Sequence, residues 1–446
     1  MGKALAICSC PKKRNLFGVG GYVLGASFCY LCGSLKKQIL AEYEYHRLAN
    51  GIRVIHSQSS TPVAHMGVVI NTGSRDELEN EHGIAHMIEH VIFKGTRKRK
   101  AYNVISCLEN VGGEIDAYTT KEETCVYGTF LKDYYGRAME LFADIIFNST
   151  FPDHECEKEK EVIVDEINSY KDSPGDLIFD DFEDLIFSGH TIGRNILGTP
   201  ESIARYNHTD ILRFIGRTYN TDQIAICSVG PVDFKTIVRL AERHFGPIAT
   251  KKRDFKRIPV NPYSPHLLEV ELDTHQSHCI FGNRAYPTDH QNRLAFELIN
   301  NTLGGPGMNC RLNLALREKH GYTYNIESFY TPYSDTGAFG IYFGTDYEKI
   351  DRCLTIIRRE LRRLREERMG TLQLDRAKKQ MIGQLAISTE NYSGLMLNLG
   401  RSCLIFDTID PLSEVCDKIN KLTSTDLLEV ANETLDDKMF STLIFK

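Results

Sequence analysis

The chain is predicted to fold as an α+β protein of two similar domains, each a mainly antiparallel sheet covered by helices. Three observations carry this expectation. The chain has 446 residues, too many for one compact core, which suggests two domains of about 200 residues each. Strands, helices, a hairpin, helices and a closing strand run through the first half, and the same succession restarts after residue 265. Between the two, Ala249 to Pro265 holds Lys251, Lys252, Arg253, Lys256, Arg257 and three prolines, a mixture that reads as a linker. The expected division is a leader over 1–41, a first domain over 42–248, a linker over 249–265 and a second domain over 266–446. The repeated succession reads as a diverged duplication that the low identity between the halves does not itself establish, with helices expected on one face of each sheet.

The elements follow in order. Tyr43 to Leu48 and Arg53 to Gln58 flank Asn50-Gly51, a hairpin signal. His65 to Asn71 reads as the next strand, and 81 to 94 as a helix. A second helix, 101 to 110, ends at Gly112-Gly113. Glu114 to Thr119 and Thr124 to Leu131 alternate as a hairpin. Helices follow near 133–147, 153–171, 176–187 and 209–219, then a strand from Gln223 to Val229 and a helix near 233–245. In the second half, strands near 267–273 and 277–286 lead to a helix near 290–303. Gly304-Gly305-Pro306-Gly307 breaks the chain. A helix runs to His320, and a hairpin from Tyr322 to Phe343 turns at Ser334-Asp335-Thr336-Gly337. Long helices and a strand over 438–445 complete the chain.

Composition is that of a soluble globular protein, with 42% hydrophobic and 25% charged residues. A formal charge of −6 gives no sign of nucleic-acid binding. The thirteen cysteines are an odd, scattered set that reads as buried free thiols in a reducing compartment, which points to the cytoplasm. Cys29 and Cys32 form a lone C-x-x-C without the second pair a metal site would need. The leader is basic and carries an apolar stretch from Leu16 to Gly33 diluted by glycines. It reads as a disordered extension, a membrane anchor through 16–33 or a targeting presequence for the mitochondrial matrix.

The chemistry is concentrated in His86-Met87-Ile88-Glu89-His90. On a helix, residues four apart stack one above the other, so His86 and His90 share a face and Glu89 points into the same space. Two imidazoles spaced to bind one cation, with a carboxylate beside the open position, describe a hydrolytic zinc site. The H-x-x-E-H order is the inverzincin signature. Catalytic zinc needs a third protein ligand. Glu159 and Glu166 lie seven apart in an acidic helical run and therefore share a face, but spacing alone does not say which of them binds. His82, four before His86, is a local competitor near the helix start.

These motifs, with Gly73-Ser74-Arg75-Asp76-Glu77, Phe93-Lys94-Gly95-Thr96, Gly113 to Thr124, Glu159 to Glu166 and Leu316 to Tyr324, resemble the pitrilysin/insulinase family of zinc peptidases, which includes the mitochondrial processing peptidase. The resemblance covers about 42 to 446. It implies one zinc ion per chain held by His86, His90 and Glu166, with Glu159 orienting the site and Glu89 as general base. It implies that Arg317 and Tyr324, seven apart, face the substrate from the second domain. It also implies that an extended peptide pairs with the strand at Glu114 to Thr119, where Asp116 stands in place of the family's usual Asn.

The function so implied is a zinc metalloendopeptidase hydrolysing peptides or unfolded segments. Long family members join four such domains, so this half-length chain is expected to form a homodimer, with Arg317 and Tyr324 reaching the partner's zinc. A heterodimer with a zinc-free homologue is the rival assembly. A non-catalytic structural subunit of a peptidase-like assembly is the rival function. A membrane enters only if the leader is an anchor.

Overall fold

A computed structural model describes residues 43–272, 274–407 and 409–446. The leader, its apolar stretch 16–33 and the Cys29/Cys32 pair lie outside the described residues. Among the described residues no helix is long and apolar enough to cross a membrane. Cys125, Cys156, Cys227, Cys279, Cys310, Cys353 and Cys403 are buried free thiols, and Cys107 is half-buried.

The first half contains β1 (Tyr43–Arg47), β2 (Arg53–Gln58), β3 (Val63–Ile70), α1 (Ile84–Val91), α2 (Ala101–Glu109), β4 (Glu114–Thr119), β5 (Thr124–Leu131), α3 (Tyr135–Asn148), α4 (Asp153–Lys171), α5 (Pro174–Ile186), α6 (Pro200–Arg205), α7 (His208–Thr218), β6 (Ile224–Gly230) and α8 (Phe234–His244). The second half contains β7 (Leu267–Val270), β8 (Ser277–Ala285), α9 (Arg293–Gly304), a π-helical turn (Asn313–Glu318), β9 (Ile326–Pro332), β10 (Gly337–Thr345), α10 (Ile350–Glu366), α11 (Thr371–Ser388), α12 (Tyr392–Phe406), α13 (Leu412–Lys421), α14 (Ser424–Thr434) and β11 (Ser441–Phe445). The helix expected up to His320 is the π-helical turn, and α6 carries no expectation of its own because it is only six residues long.

The first sheet has the order β1-β2-β6-β3-β5-β4 and the second β7-β11-β8-β10-β9. Pairing is antiparallel except at β2–β6 and β7–β11. The Asn50-Gly51 turn closes as a hairpin, with Gly51 at φ +97, a left-handed conformation that glycine takes without steric cost. Among the described residues the edge strands, β1 and β4 in the first sheet and β7 and β9 in the second, each pair with a single neighbour.

Strand side chains alternate between two cores. In the first sheet Val54, Val68 and Val126 face α1, α3 and α4. Ile55, Val69, Cys125 and Cys227 face the other way, onto Met396, Leu399 and Cys403 of α12. In the second sheet Phe281, Phe339 and Ile341 face α9 and α10. Ile280, Ala338 and Leu443 face Ile178, Phe182 and Ile186 of α5. The expectation of helices on one face only is therefore corrected. Each sheet is covered on both faces, and the second cover is a helix from the opposite half. The reason is visible in β6 and β10, which are buried at every position. Strands apolar on both faces need both faces covered.

The segment 249–265 has no regular secondary structure but is tied to both halves. Arg257 Nη2 donates to Asp76 Oδ2 at 2.9 Å, and Tyr263 Oη donates to the Met439 carbonyl at 2.9 Å. Arg75 makes a bidentate pair with Asp335 at 2.6 and 2.7 Å, joining the start of the first half to the β9–β10 turn.

Candidate metal centre

Helix α1 is short and almost wholly buried, with Ile84, Ala85, Met87, Ile88 and Val91 in the core. Its start is held by two devices. Glu77 accepts hydrogen bonds from the backbone N–H groups of Gly83 and Ala85, both at 3.0 Å, satisfying two donors at the helix start. Burial pushes the Glu77 carboxyl up to about 8, against those two donors. The second device is close packing of glycine on glycine. Gly83 sits at φ +88, and a Cβ there would lie 2.7 Å from Cα of Gly198. Gly83→Ala is accordingly expected to cost about 1–3 kcal/mol of stability, read as a lower Tm in thermal unfolding. An unchanged Tm would show that the α1 start is not confined in this way.

Helix α4 docks through one apolar stripe. Cys156, Ile163 and Ile167 are buried, and burying each isoleucine contributes roughly 1.5–3 kcal/mol. Glu159 and Glu166 flank that stripe, so seating it on the core turns both carboxylates toward α1. Solvation of the other acids on α4 accounts for its many charges.

The resulting geometry is compact. One ligand atom from each of His86, His90 and Glu166 lies within 4.8 Å of the others. Glu166 Oε2 is 3.2 Å from His90 Nε2 and 3.6 Å from His86 Nε2. The two rings meet edge to face with centroids 4.7 Å apart. On the far side of His90, Nδ1 donates to Glu159 Oε2 at 3.2 Å, and Lys94 Nζ approaches Glu159 Oε1 at 2.7 Å. Two imidazole nitrogens and one carboxylate oxygen are the donor set of a three-ligand zinc site, and a carboxylate on the outer nitrogen fixes the ring's tautomer. The residues present therefore fit zinc. Glu89, half-buried on the same helix, adds its charge to the burial that raises the Tyr127 and Tyr219 phenols.

Electrostatics follow from the crowding of acids. Burial opposes a charge on His90, but hydrogen bonds to Glu159 and Glu166 overcome it and push the imidazole up to about 9. Burial likewise opposes the Glu159 charge, and His90 and Lys94 hold that carboxyl below its usual range. The raised His90 contributes stability to the metal-free protein that is complete below pH 6.5 and lost as pH rises through about 9. Zinc requires the neutral ring. Zinc uptake at pH 7 is therefore expected to release the His90 proton, and the apparent affinity to rise with pH up to about 9. Calorimetry in two buffers of different ionisation enthalpy checks this. Equal apparent enthalpies in the two buffers would refute it.

The other expected residues fall elsewhere. His82 Nε2 donates to the Asn195 carbonyl at 2.8 Å, so it stands outside the cluster. Asp116 Oδ1 accepts from the Ala117 N–H at 2.8 Å, and Oδ2 from the Tyr127 hydroxyl at 3.1 Å. Arg317 lies on the π-helical turn, 3.9 Å from Glu318, and Tyr324 is 86% exposed on the segment before β9. Both stay on the surface of the second half, while the first half assembles the ligand cluster. Residue-by-residue reasoning missed Glu77 and Lys94 as supports of the site. Both lie inside quoted motifs, but nothing in their spacing marks them as such.

Comparison with known proteins places this chain in a family. Residues 53–200 match the model described as Insulinase (Peptidase family M16), and residues 205–381 match the Peptidase M16 inactive domain. A Bacillus subtilis protein named uncharacterized zinc protease YmxG is 30% identical over 373 residues, covering 83% of this chain and 90% of that one. The beta subunit of the mitochondrial-processing peptidase of Bos taurus is 29% identical over 400 residues, covering 88% of this chain and 81% of that one. A crystal structure of a protease from Helicobacter pylori superposes with a TM-score of 0.84 at 22% identity, covering 91% of this chain and all of that one, and shows the same two-domain α+β fold. With both halves matched and this similarity running through most of its length, the chain belongs to the insulinase family of peptidases, family M16, whose relatives are named zinc proteases.

Proposed function

We propose that the chain is a zinc metalloendopeptidase that hydrolyses peptides or unfolded segments, with Glu89 as its general base. The observation that carries this reading is the convergence of His86, His90 and Glu166 with Glu89 on the same buried helix. Zinc, when bound by these three side chains, polarises the scissile carbonyl and lowers the pKa of a water toward about 7. Glu89 takes the proton of the attacking water and passes it to the leaving amine as the C–N bond breaks. Glu159 holds His90 with Nε2 turned to the metal position, and Lys94 keeps Glu159 charged. A peptide would enter as an extra strand on the outer edge of β4, which has no partner strand among the described residues, by main-chain pairing that does not depend on whether Asn or Asp stands at position 116. The direct test is metal content together with turnover of an unstructured peptide by the purified protein. A protein that holds zinc and leaves the peptide intact would count against the reading.

The exposure of Arg317 and Tyr324 supports an assembly in which they complete a second chain's site. In a homodimer each chain would give its metal cluster to one site and its Arg/Tyr pair to the other. Glu89→Gln and Tyr324→Phe chains are each expected to be nearly inactive alone. Mixed in equal amounts with free exchange, they should recover about a quarter of wild-type activity, because half the dimers carry one intact site of two. No recovery despite proven exchange would rule out sharing between subunits.

A further inference from the structure

The turn between β4 and β5 is held at every residue, by the 74–75 segment, the Arg194 carbonyl, the β9–β10 turn and α12. The Thr120 carbonyl accepts from the Ser74 N–H at 3.1 Å and the Lys121 carbonyl from the Arg75 N–H at 2.8 Å. Lys121 Nζ donates to the Arg194 carbonyl at 2.7 Å. Glu122 accepts from Arg75 at 2.7 Å and from the Ser334 N–H and hydroxyl at 2.9 and 2.6 Å. Glu123, buried, accepts from Arg401 Nε at 2.9 and 2.8 Å and from the Tyr118 hydroxyl at 2.8 Å. Arg401 also pairs through Nη2 with Glu123 Oε1.

Arg401 belongs to α12, a helix of the second half packed on the first sheet. A buried ion pair is weak support for stability, since an apolar pair of similar volume often does as well. What a guanidinium–carboxylate pair adds is direction: two parallel bonds fix position and tilt. Here the fixed object is the end of an edge strand. Tyr118 lies on β4, whose outer edge carries no partner strand among the described residues. The next residue, Thr119, donates through Oγ1 to the Ala85 carbonyl at 3.4 Å, one residue before the ligand His86. A contiguous path thus runs from α12 through Arg401, Glu123 and β4 to the helix that carries His86 and His90.

We propose that Arg401 is a positioning residue for peptide binding: by clamping Glu123 and Tyr118 it sets the free edge of β4 at the place where an added peptide strand meets the ligands on α1. The inference rests on the peptidase reading above. It assigns α12 a role beyond covering the sheet, and makes each chain's second half the support of its own peptide-binding edge.

The test uses the full chain in two backgrounds. With Glu89→Gln to prevent cleavage, binding of a fluorescein-labelled unstructured peptide is followed by anisotropy. Arg401→Met is expected to weaken binding about tenfold, and Arg401→Lys to recover part of the loss. With Glu89 intact, Arg401→Met should raise KM about tenfold with a far smaller change in kcat, at unchanged zinc content. Amide exchange over 116–119 should quicken in step with the loss of binding. If Arg401→Met does not fold, Glu123→Gln, which keeps the side-chain shape, is read by the same measurements. Peptide affinity that ignores both substitutions, or an equal fall in kcat, zinc content and binding, would overturn the proposal. Failure of the peptidase reading looks different: no turnover by the wild-type chain, whatever Arg401 does to peptide affinity.

Discussion

Glu89→Gln is expected to keep its zinc and lose about 10²- to 10⁴-fold in kcat, the range that a positioned general base contributes. The amide has the shape of the carboxylate but cannot take a proton at neutral pH. Metal affinity should survive because Glu89 is not one of the three clustered ligands. Its influence on His90 is also minor, the hydrogen bonds His90 donates to Glu159 and Glu166 being the larger causes of that raised pKa. The measurement pairs metal analysis with steady-state turnover of an unstructured peptide. Turnover within a few-fold of wild type would remove Glu89 from the mechanism, whatever the metal content.

Glu166→Ala is expected to remove the metal and, with it, all measurable activity. Two imidazoles would remain where a zinc site needs three protein ligands. Glu159→Gln should act differently, weakening metal binding by roughly 10–100-fold without abolishing it, as loss of a ligand's hydrogen-bond partner does. The asymmetry comes from position. Glu166 Oε2 faces the Nε2 atoms of both histidines, whereas Glu159 reaches only the outer nitrogen of His90. Equilibrium dialysis against a zinc buffer separates the two cases. If Glu159→Gln empties the site while Glu166→Ala retains zinc, the two carboxylates have been given each other's roles.

Much of this architecture is legible in the residues. Local spacing places His86 and His90 on one helical face. The β4 and β5 boundaries, Glu114–Thr119 and Thr124–Leu131, and the extent of α4, 153–171, coincide with the expectation. Each is a matter of period and of nearby turn residues. The expected 81–94 helix is shorter, Ile84–Val91, because Gly83 takes a left-handed conformation that starts the helix later. The exchange of α5 and α12 between halves is not legible, since an apolar helix face does not say which sheet it will cover.

The amino-acid sequence alone determined the α+β class, the repeated order of elements and the pairing of two histidines with a carboxylate on one helix, because these depend on periodicities of a few residues. Only the tertiary structure decided that Glu166 faces both imidazoles while Glu159 backs one of them. It also decided that α12 grips the edge strand through Arg401 and Glu123, 278 positions apart in the chain. Those relations are set by how apolar stripes seat against a common core, and a side chain's distance across that core has no counterpart in spacing along the chain.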